Sequence, residues 1–122
     1  MKNKIVAIVQ ARVTSVRFPS KVLKKINKLT IIELLHNRLN RSKHIDKIVI
    51  ATPKSKENEK FSNFLTSLGY TIFRGSEKNV LDRYYKAATK YRAKTIVRIT
   101  GDCPLADPSL VDDLILKFSK NN

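Results

Sequence analysis

The residues best equipped for chemistry lie in one short polar stretch near the start of the chain. Arg12, Ser15, Arg17 and Lys21 are spaced R-x-x-S-x-R-x-x-x-K, directly after the apolar run Ile5–Val9. Two guanidinium forks, an ammonium and a hydroxyl exceed what a connecting loop needs. They suit a polyphosphate, whose oxygens accept bidentate bonds from Arg and meet Lys as a point charge. The stretch contains no glycine, so neither a Walker A loop nor a dinucleotide fingerprint applies. Side chains, rather than a closely approaching backbone, would do the neutralising. A solvated basic loop is the competing reading.

A second candidate is Asp102, in Thr100-Gly101-Asp102-Cys103-Pro104. A carboxylate between a strand end and a helix can hold Mg²⁺ while phosphates and water complete the octahedron. The plainer alternative is an Asx-turn, in which the Asp side chain bonds its own backbone. Gly101 would allow close backbone approach to a ligand.

These residues need a scaffold, and the pattern supplies one. Ile5–Val9 reads as a buried strand. Thr30-Ile31-Ile32-Glu33 is a capping box that opens a helix to about Asn40, with Ile32, Leu35 and Leu39 inward. Asp46–Thr52 reads as a second strand, ended by Pro53. A helix over 55–68 turns Phe61, Phe64, Leu65 and Leu68 inward, and Gly69 stops it. Tyr70–Phe73 is a third strand, followed by a loop at Arg74-Gly75-Ser76. A helix over 79–91 is expected to bury Leu81, Tyr84, Tyr85 and Ala88. Thr95–Thr100 is a fourth strand. Asp107-Pro108 places a cap and an N1 proline before a last helix through about Ser119. Its expected stripe is Leu110 or Val111, then Leu114, Ile115 and Phe118. Asp112 and Asp113 fall in its first turns, where negative charge favours the helix dipole. Strands alternating with helices specify an α/β, three-layer, mainly parallel sheet in one domain over 1–122. Arg12, Ser76 and Asp102 each follow a strand, and a parallel sheet gathers such ends at one crevice.

Composition sets outer bounds. The formal net charge is +15, from 25 basic and 10 acidic residues. Residues 1–50 carry 12 basic and 2 acidic side chains, and residues 51–122 carry 13 and 8, so the excess is +10 and +5. Such a surface attracts nucleic acid, anionic membranes or phosphorylated small molecules. The single Cys103 provides no disulfide framework or metal set, as expected in a reducing cytoplasm. Lys2 and Lys4 before Ile5–Val9 imitate a secretion signal, but the apolar run is too short. No segment has the length to cross a membrane. His36 and His44 have no nucleophile partner and read as structural or solvated. Cys103 reads as a small packing residue.

Three stretches together resemble a known family. QARVTSVRFPSKVL, from Gln10 to Leu23, resembles the first motif of the CMP-sugar synthetases, the acylneuraminate cytidylyltransferases and their relatives. It is most similar to the branch called spore coat polysaccharide biosynthesis protein F, written Q-A-R-x-x-S-x-R-x-P-x-K-x-L. RGSEKNVLDRYYKAA, Arg74 to Ala88, resembles that branch's G-S-E-x-x-V-L-D-R-Y. VRITGDCPLADP, Val97 to Pro108, resembles R-x-T-G-D-C-P-L-x-D-P. The resemblance implies a Rossmann-like nucleotidyltransferase (GT-A-like) fold, truncated to its nucleotide-binding half, because family members are about twice this length.

It further implies transfer of a cytidylyl group from CTP to a sugar acid or related sugar in surface polysaccharide biosynthesis. Arg12, Arg17 and Lys21 would be the catalytic residues, holding the phosphates and the leaving pyrophosphate. Ser15 would bond a phosphate oxygen, and Asp102 would hold Mg²⁺. Ala11 and Arg98 would neighbour the base, while Ser76 and Arg83 would contact nucleotide. For Arg83 an ion pair with a helix neighbour is the competing role, and Tyr84 and Tyr85 read as core. A half-length chain is expected to bind CTP without necessarily completing catalysis. A second copy or a partner chain would cover its sheet edge. The alternative is a non-catalytic nucleotide-binding half-domain, or a basic nucleic-acid-binding α/β module. Against the latter, no aromatic residues interleave with the basic clusters.

Overall fold

Strand β1, Ile5–Gln10, is the axis of the sheet, and four of its six residues are fully buried. Its β-branched run has a helical layer on each side, which leaves no face for polar residues. The computed structural model describes residues 4–12, 23–26, 28–101 and 107–120. In chain order the other elements are β2 Lys25–Ile26, β3 Leu29–Thr30, α1 Ile31–Leu39, β4 Lys47–Pro53, α2 Glu59–Ser67, β5 Thr71–Gly75, α3 Val80–Lys90, β6 Thr95–Thr100 and α4 Pro108–Lys120. Among the described residues, the main sheet runs in the order β5-β4-β1-β6. All its pairings are parallel.

Alternation along β1 divides the core. Val9 and Ala11 pack with Ile32, Leu35 and Leu39 of α1 and with Phe61 and Leu65 of α2. Val111 of α4 joins that layer. Val6 and Ile8 face the other way, against Tyr84, Ala87 and Ala88 of α3. The result is the three-layer α/β arrangement expected from the element order.

Local signals account for most boundaries. Thr30 forms a complete capping box: its hydroxyl accepts from the Glu33 N–H, and the Glu33 carboxylate accepts from the Thr30 N–H. Such a cap contributes about 1 kcal/mol. Asn79 caps α3 by accepting from the Asp82 N–H at 2.9 Å. The Asp107 carboxylate accepts from the Ser109 N–H at 2.9 Å, ahead of Pro108 at the first position of α4. Gly69 stops the α2 region with φ of +81°, a backbone conformation side chains rarely adopt.

Several expectations need correction. A two-residue hairpin, β2 with β3, precedes α1 and was not anticipated. The segment 56–58 is a 3-10 turn before α2. Strand β5 continues through Arg74 and Gly75, which were expected in a loop, because β4 pairs Thr52 with Arg74 and Pro53 with Gly75. Helix α3 is rotated from its expected face. Leu81 and Tyr85 are 74% and 66% exposed, whereas Arg83 is 1% exposed. Helix α4 buries Ile115 but leaves Leu110, Leu114 and Phe118 exposed. Leu114 and Phe118 instead line an apolar groove of about 430 Å³ with Ile96 and Val97 of β6. No helix among the described residues is long and apolar enough to cross a membrane.

Candidate functional site

Because the four strands are parallel, Gly75, Pro53, Gln10 and Thr100 end on the same edge of the sheet. Ala11-Arg12 leaves β1 there, Ser76 leaves β5, and Gly101 leaves β6. This is where an open α/β sheet binds ligands. Ser15, Arg17, Lys21 and Asp102 fall outside the described residues. Ala11, Arg12, Ser76, Arg83 and Arg98 fall within them.

Ala11 is 2% exposed, and its N–H donates to the Ala51 carbonyl at 3.0 Å, which extends the ladder one residue past β1. Gly101 lies against it. A Cβ built at Gly101 would stand 2.8 Å from the Ala11 Cβ and 2.9 Å from the Gln10 carbonyl oxygen. The Gly101 N–H donates to that same oxygen at 2.7 Å. Glycine therefore lets the ends of β1 and β6 close on each other, and Arg12 emerges exposed from this junction.

Among the described residues Arg83 does not form the ion pair that was its competing role. Its neighbour Asp82 pairs instead with Lys86, one turn along α3, at 3.4 Å. Arg83 Nη1 donates to the Ser76 carbonyl, which ties α3 to the turn after β5. Arg83 Nε and Nη2 are buried with no hydrogen-bond partner. Burial, with the positive charge of Arg12 adding to it, pushes the Arg83 guanidinium below its ordinary pKa. Its stem packs where a Gly75 side chain would be, since a Cβ there would lie 2.9 Å from Arg83 Cγ. The Ser76 hydroxyl accepts from the Asn79 N–H at 3.1 Å and shapes the turn into α3.

Arg98 projects from the middle of β6 to the α3 layer, with its guanidinium carbon 4.5 Å from the Tyr84 ring centroid. This is a cation–π contact. Tyr84 is thus core, as expected, while Tyr85 is not.

The sequence reading passed over two polar anchors. Arg74 Nη2 donates to the Ser55 carbonyl at 2.9 Å, pinning β5 to the turn before α2. Asp112 was assigned only to the dipole of α4, yet it accepts from the Lys43 N–H at 2.9 Å and from the Ser42 hydroxyl. Neither partner is local in sequence, so no short motif announces them. His36 stacks on Tyr70 with ring centroids 3.7 Å apart, consistent with a structural role.

Among the described residues, no group of three or more His, Cys, Asp or Glu side chains could hold a metal. A Mg²⁺ ion at this edge would therefore depend on Asp102, with ligand oxygens and water. That is an ordinary donor set for Mg²⁺, which usually takes one or two carboxylates plus phosphates. The grooves at α4–β6 and beside His36 and Tyr70 lie away from the strand ends.

Fold and strand-end geometry define an α/β domain of the nucleotidyltransferase class. Residues 6–122 match the family model described as cytidylyltransferase. The chain belongs to that family. It is 46% identical over 119 residues to an uncharacterised protein of Methanocaldococcus jannaschii, covering 98% of this chain and 49% of that protein. It is 37% identical over 117 residues to the spore coat polysaccharide biosynthesis protein SpsF of Bacillus subtilis, covering 93% and 49%. A cytidylyltransferase structure from Leptospira borgpetersenii superposes with a TM-score of 0.92 at 33% identity, covering 99% of this chain and 51% of that one. A CMP-2-keto-3-deoxy-manno-octonic acid synthetase complexed with CTP shares the fold, with a TM-score of 0.86 at 21% identity. The chain spans about half the length of the curated relatives it matches.

Proposed function

We propose that this chain is a nucleotide-binding α/β domain that takes CTP with Mg²⁺ and serves transfer of a cytidylyl group to a sugar acid or related sugar. The observation that carries the reading is the family match over residues 6–122, which includes the strand-end edge along which Arg12, Ser76 and Gly101 are placed. The acceptor hydroxyl would attack the α-phosphorus in line, forming the new P–O bond as the bond to pyrophosphate breaks. The protein's contribution is positioning and charge stabilisation. Arg12 and Arg17 hold the β- and γ-phosphates and the departing pyrophosphate, and Lys21 neutralises the phosphate under attack. Ser15 donates to a phosphate oxygen. Ala11 would neighbour the base from the strand-end junction, and Ser76 and Arg83 would complete the nucleotide contacts from the second motif, whereas the Arg98 guanidinium is taken up by the Tyr84 ring in the α3 layer. Bound at Asp102, Mg²⁺ would offset phosphate charge.

The exposed apolar side chains of α4 beside β6 offer the face on which a partner chain or second copy would pack. Calorimetric titration of CTP with Mg²⁺, using UTP and ATP as controls, tests the reading. Selective CTP binding, abolished in Arg12→Ala and weakened in Asp102→Ala, is expected. A folded protein that binds no nucleotide would refute it, and salt-sensitive binding indifferent to CTP would favour the nucleic-acid alternative.

A further inference from the structure

Arg83 is the one buried guanidinium among the described residues, and its chemistry is unfinished. It is 1% exposed, yet only Nη1 is engaged, by the Ser76 carbonyl. Nε and Nη2 have no partner. A buried cation without a counter-ion is strongly unfavourable, and burial of such a group is ordinarily accompanied by pairing. The nearby charge is of the same sign, since Arg12 acts on Arg83 as a repelling neighbour. Arg83 sits in the second turn of α3, whose N-terminus carries the helix's positive end toward the same strand-end edge. Gly75 leaves room for the Arg83 stem to pass beneath the end of β5.

We propose that Arg83 is a latent anion anchor: at the same strand-end edge from which Arg12 emerges, it takes an oxygen of a diphosphate group, using the buried Nε and Nη2 donors that have no hydrogen-bond partner among the described residues. The assignment rests on the reading of the strand-end edge as a nucleotide site, and it deepens that reading by naming the diphosphate as the moiety Arg83 holds. Both nitrogens are closed to solvent, so the contact forms through a local movement. The turn at 76–79 is the element that shifts: Glu77, Lys78 and Asn79 are exposed, so the movement exchanges hydrogen bonds at Ser76 and Asn79 rather than core packing. The free protein therefore carries a buried positive charge that the ligand neutralises. Arg83 would oppose stability in the absence of anion and support it in its presence.

Thermal melts of the whole chain with and without inorganic pyrophosphate, at constant ionic strength and with sulfate as control, test this. Wild type should be stabilised by pyrophosphate well beyond sulfate. Arg83→Met should melt at or above wild type without ligand and bind pyrophosphate at least about tenfold more weakly, a loss of about 1.4 kcal/mol. Arg83→Lys should retain part of the affinity. A lowered melting temperature in Arg83→Met with pyrophosphate affinity intact would assign Arg83 to structure alone and overturn the proposal. So would a wild type that does not respond to pyrophosphate. Should Arg83→Met fail to fold, unchanged pyrophosphate affinity in Arg83→Lys and Arg83→Gln would be equally fatal, and a loss in both would support it. Arg83-dependent pyrophosphate binding without CTP selectivity would leave the anchor standing while removing the cytidylyl reading. Selective CTP binding indifferent to Arg83 would do the reverse.

Discussion

Asp112 of α4 accepts a hydrogen bond from the hydroxyl of Ser42, in the turn that follows α1, and the same carboxylate accepts from the Lys43 and His44 N–H groups. Two helices on one face of the sheet are thereby tied through a single carboxylate. Burial alone would raise the Asp112 pKa, but these hydrogen bonds outweigh it and hold the carboxyl below its ordinary range. A depressed folded-state pKa gives stability that is fully present above the unfolded value and is lost as pH falls through the folded one. Asp112→Asn should therefore cost about 0.5–1 kcal/mol at neutral pH, since solvent screens the carboxylate. The gap from wild type should close as acid protonates Asp112, which urea unfolding at a series of pH values will read.

His36 supplies a second and higher pH window. Burial against Tyr70 lowers its pKa. The unfolded chain consequently binds a proton more readily than the folded one as pH drops past the usual imidazole value. Stability should be full above about pH 6.5 and decline below it. Replacing His36 with Gln should flatten the urea midpoint between about pH 7 and pH 5, while the lower window belonging to Asp112 persists. An unaltered slope in that upper range would show that the ring does not titrate with unfolding.

Gly101→Ala should damage ligand binding along with stability. The added methyl would press on Ala11 and on the Gln10 carbonyl oxygen. Overpacking of this kind costs about 1–3 kcal/mol. The displaced atoms lie immediately before Arg12, so CTP affinity measured on the folded variant should also fall. A variant with wild-type affinity would separate this junction from the site.

Neighbouring tyrosines on α3 should behave oppositely. Tyr84 is 5% exposed and lies under Arg98, so Tyr84→Ala should cost about 3 kcal/mol. Tyr85 is 66% exposed, and Tyr85→Ala should stay within about 0.5 kcal/mol of wild type. Chemical denaturation of the pair checks the orientation of the helix directly.

The contrast between these tyrosines shows what the amino-acid order conveyed. The strand β1 and the cap at Thr30 were legible because each is a local signal: a β-branched run, and a hydroxyl three residues before a carboxylate. The inward face of α3 was not. Apolar spacing selects Leu81, Tyr84, Tyr85 and Ala88, but the helix turns Arg83, Tyr84, Ala87 and Ala88 inward. A charged residue in the buried arc is counted as solvent-facing by any rule based on polarity. The extension of β5 to Gly75 escaped for a different reason, since it depends on a ladder with Thr52 and Pro53 rather than on the apolarity of Arg74 and Gly75. At the site, strand alternation placed Arg12 and Ser76 at one edge of the sheet, where the parallel pairings put them, while Asp102, the third residue of that expectation, lies outside the described residues. The free nitrogens of Arg83 emerged only from the packing around them. Ser15, Arg17, Lys21 and Asp102, outside the described residues, rest on their motifs.

The central position of β1 also dictates how the chain must assemble. Its partners are distant in sequence: Val6 pairs with Lys47, and Ile5 pairs with Thr95. During synthesis β1 emerges before β4 and β6 and must wait for β6 before its second edge is satisfied. Parallel pairings over such separations require loop closure before they return any stabilisation, so folding should be slow relative to a helical domain of this size. Until then this apolar strand presents a free ladder, and the net charge of +15 supplies the repulsion that keeps nascent copies apart.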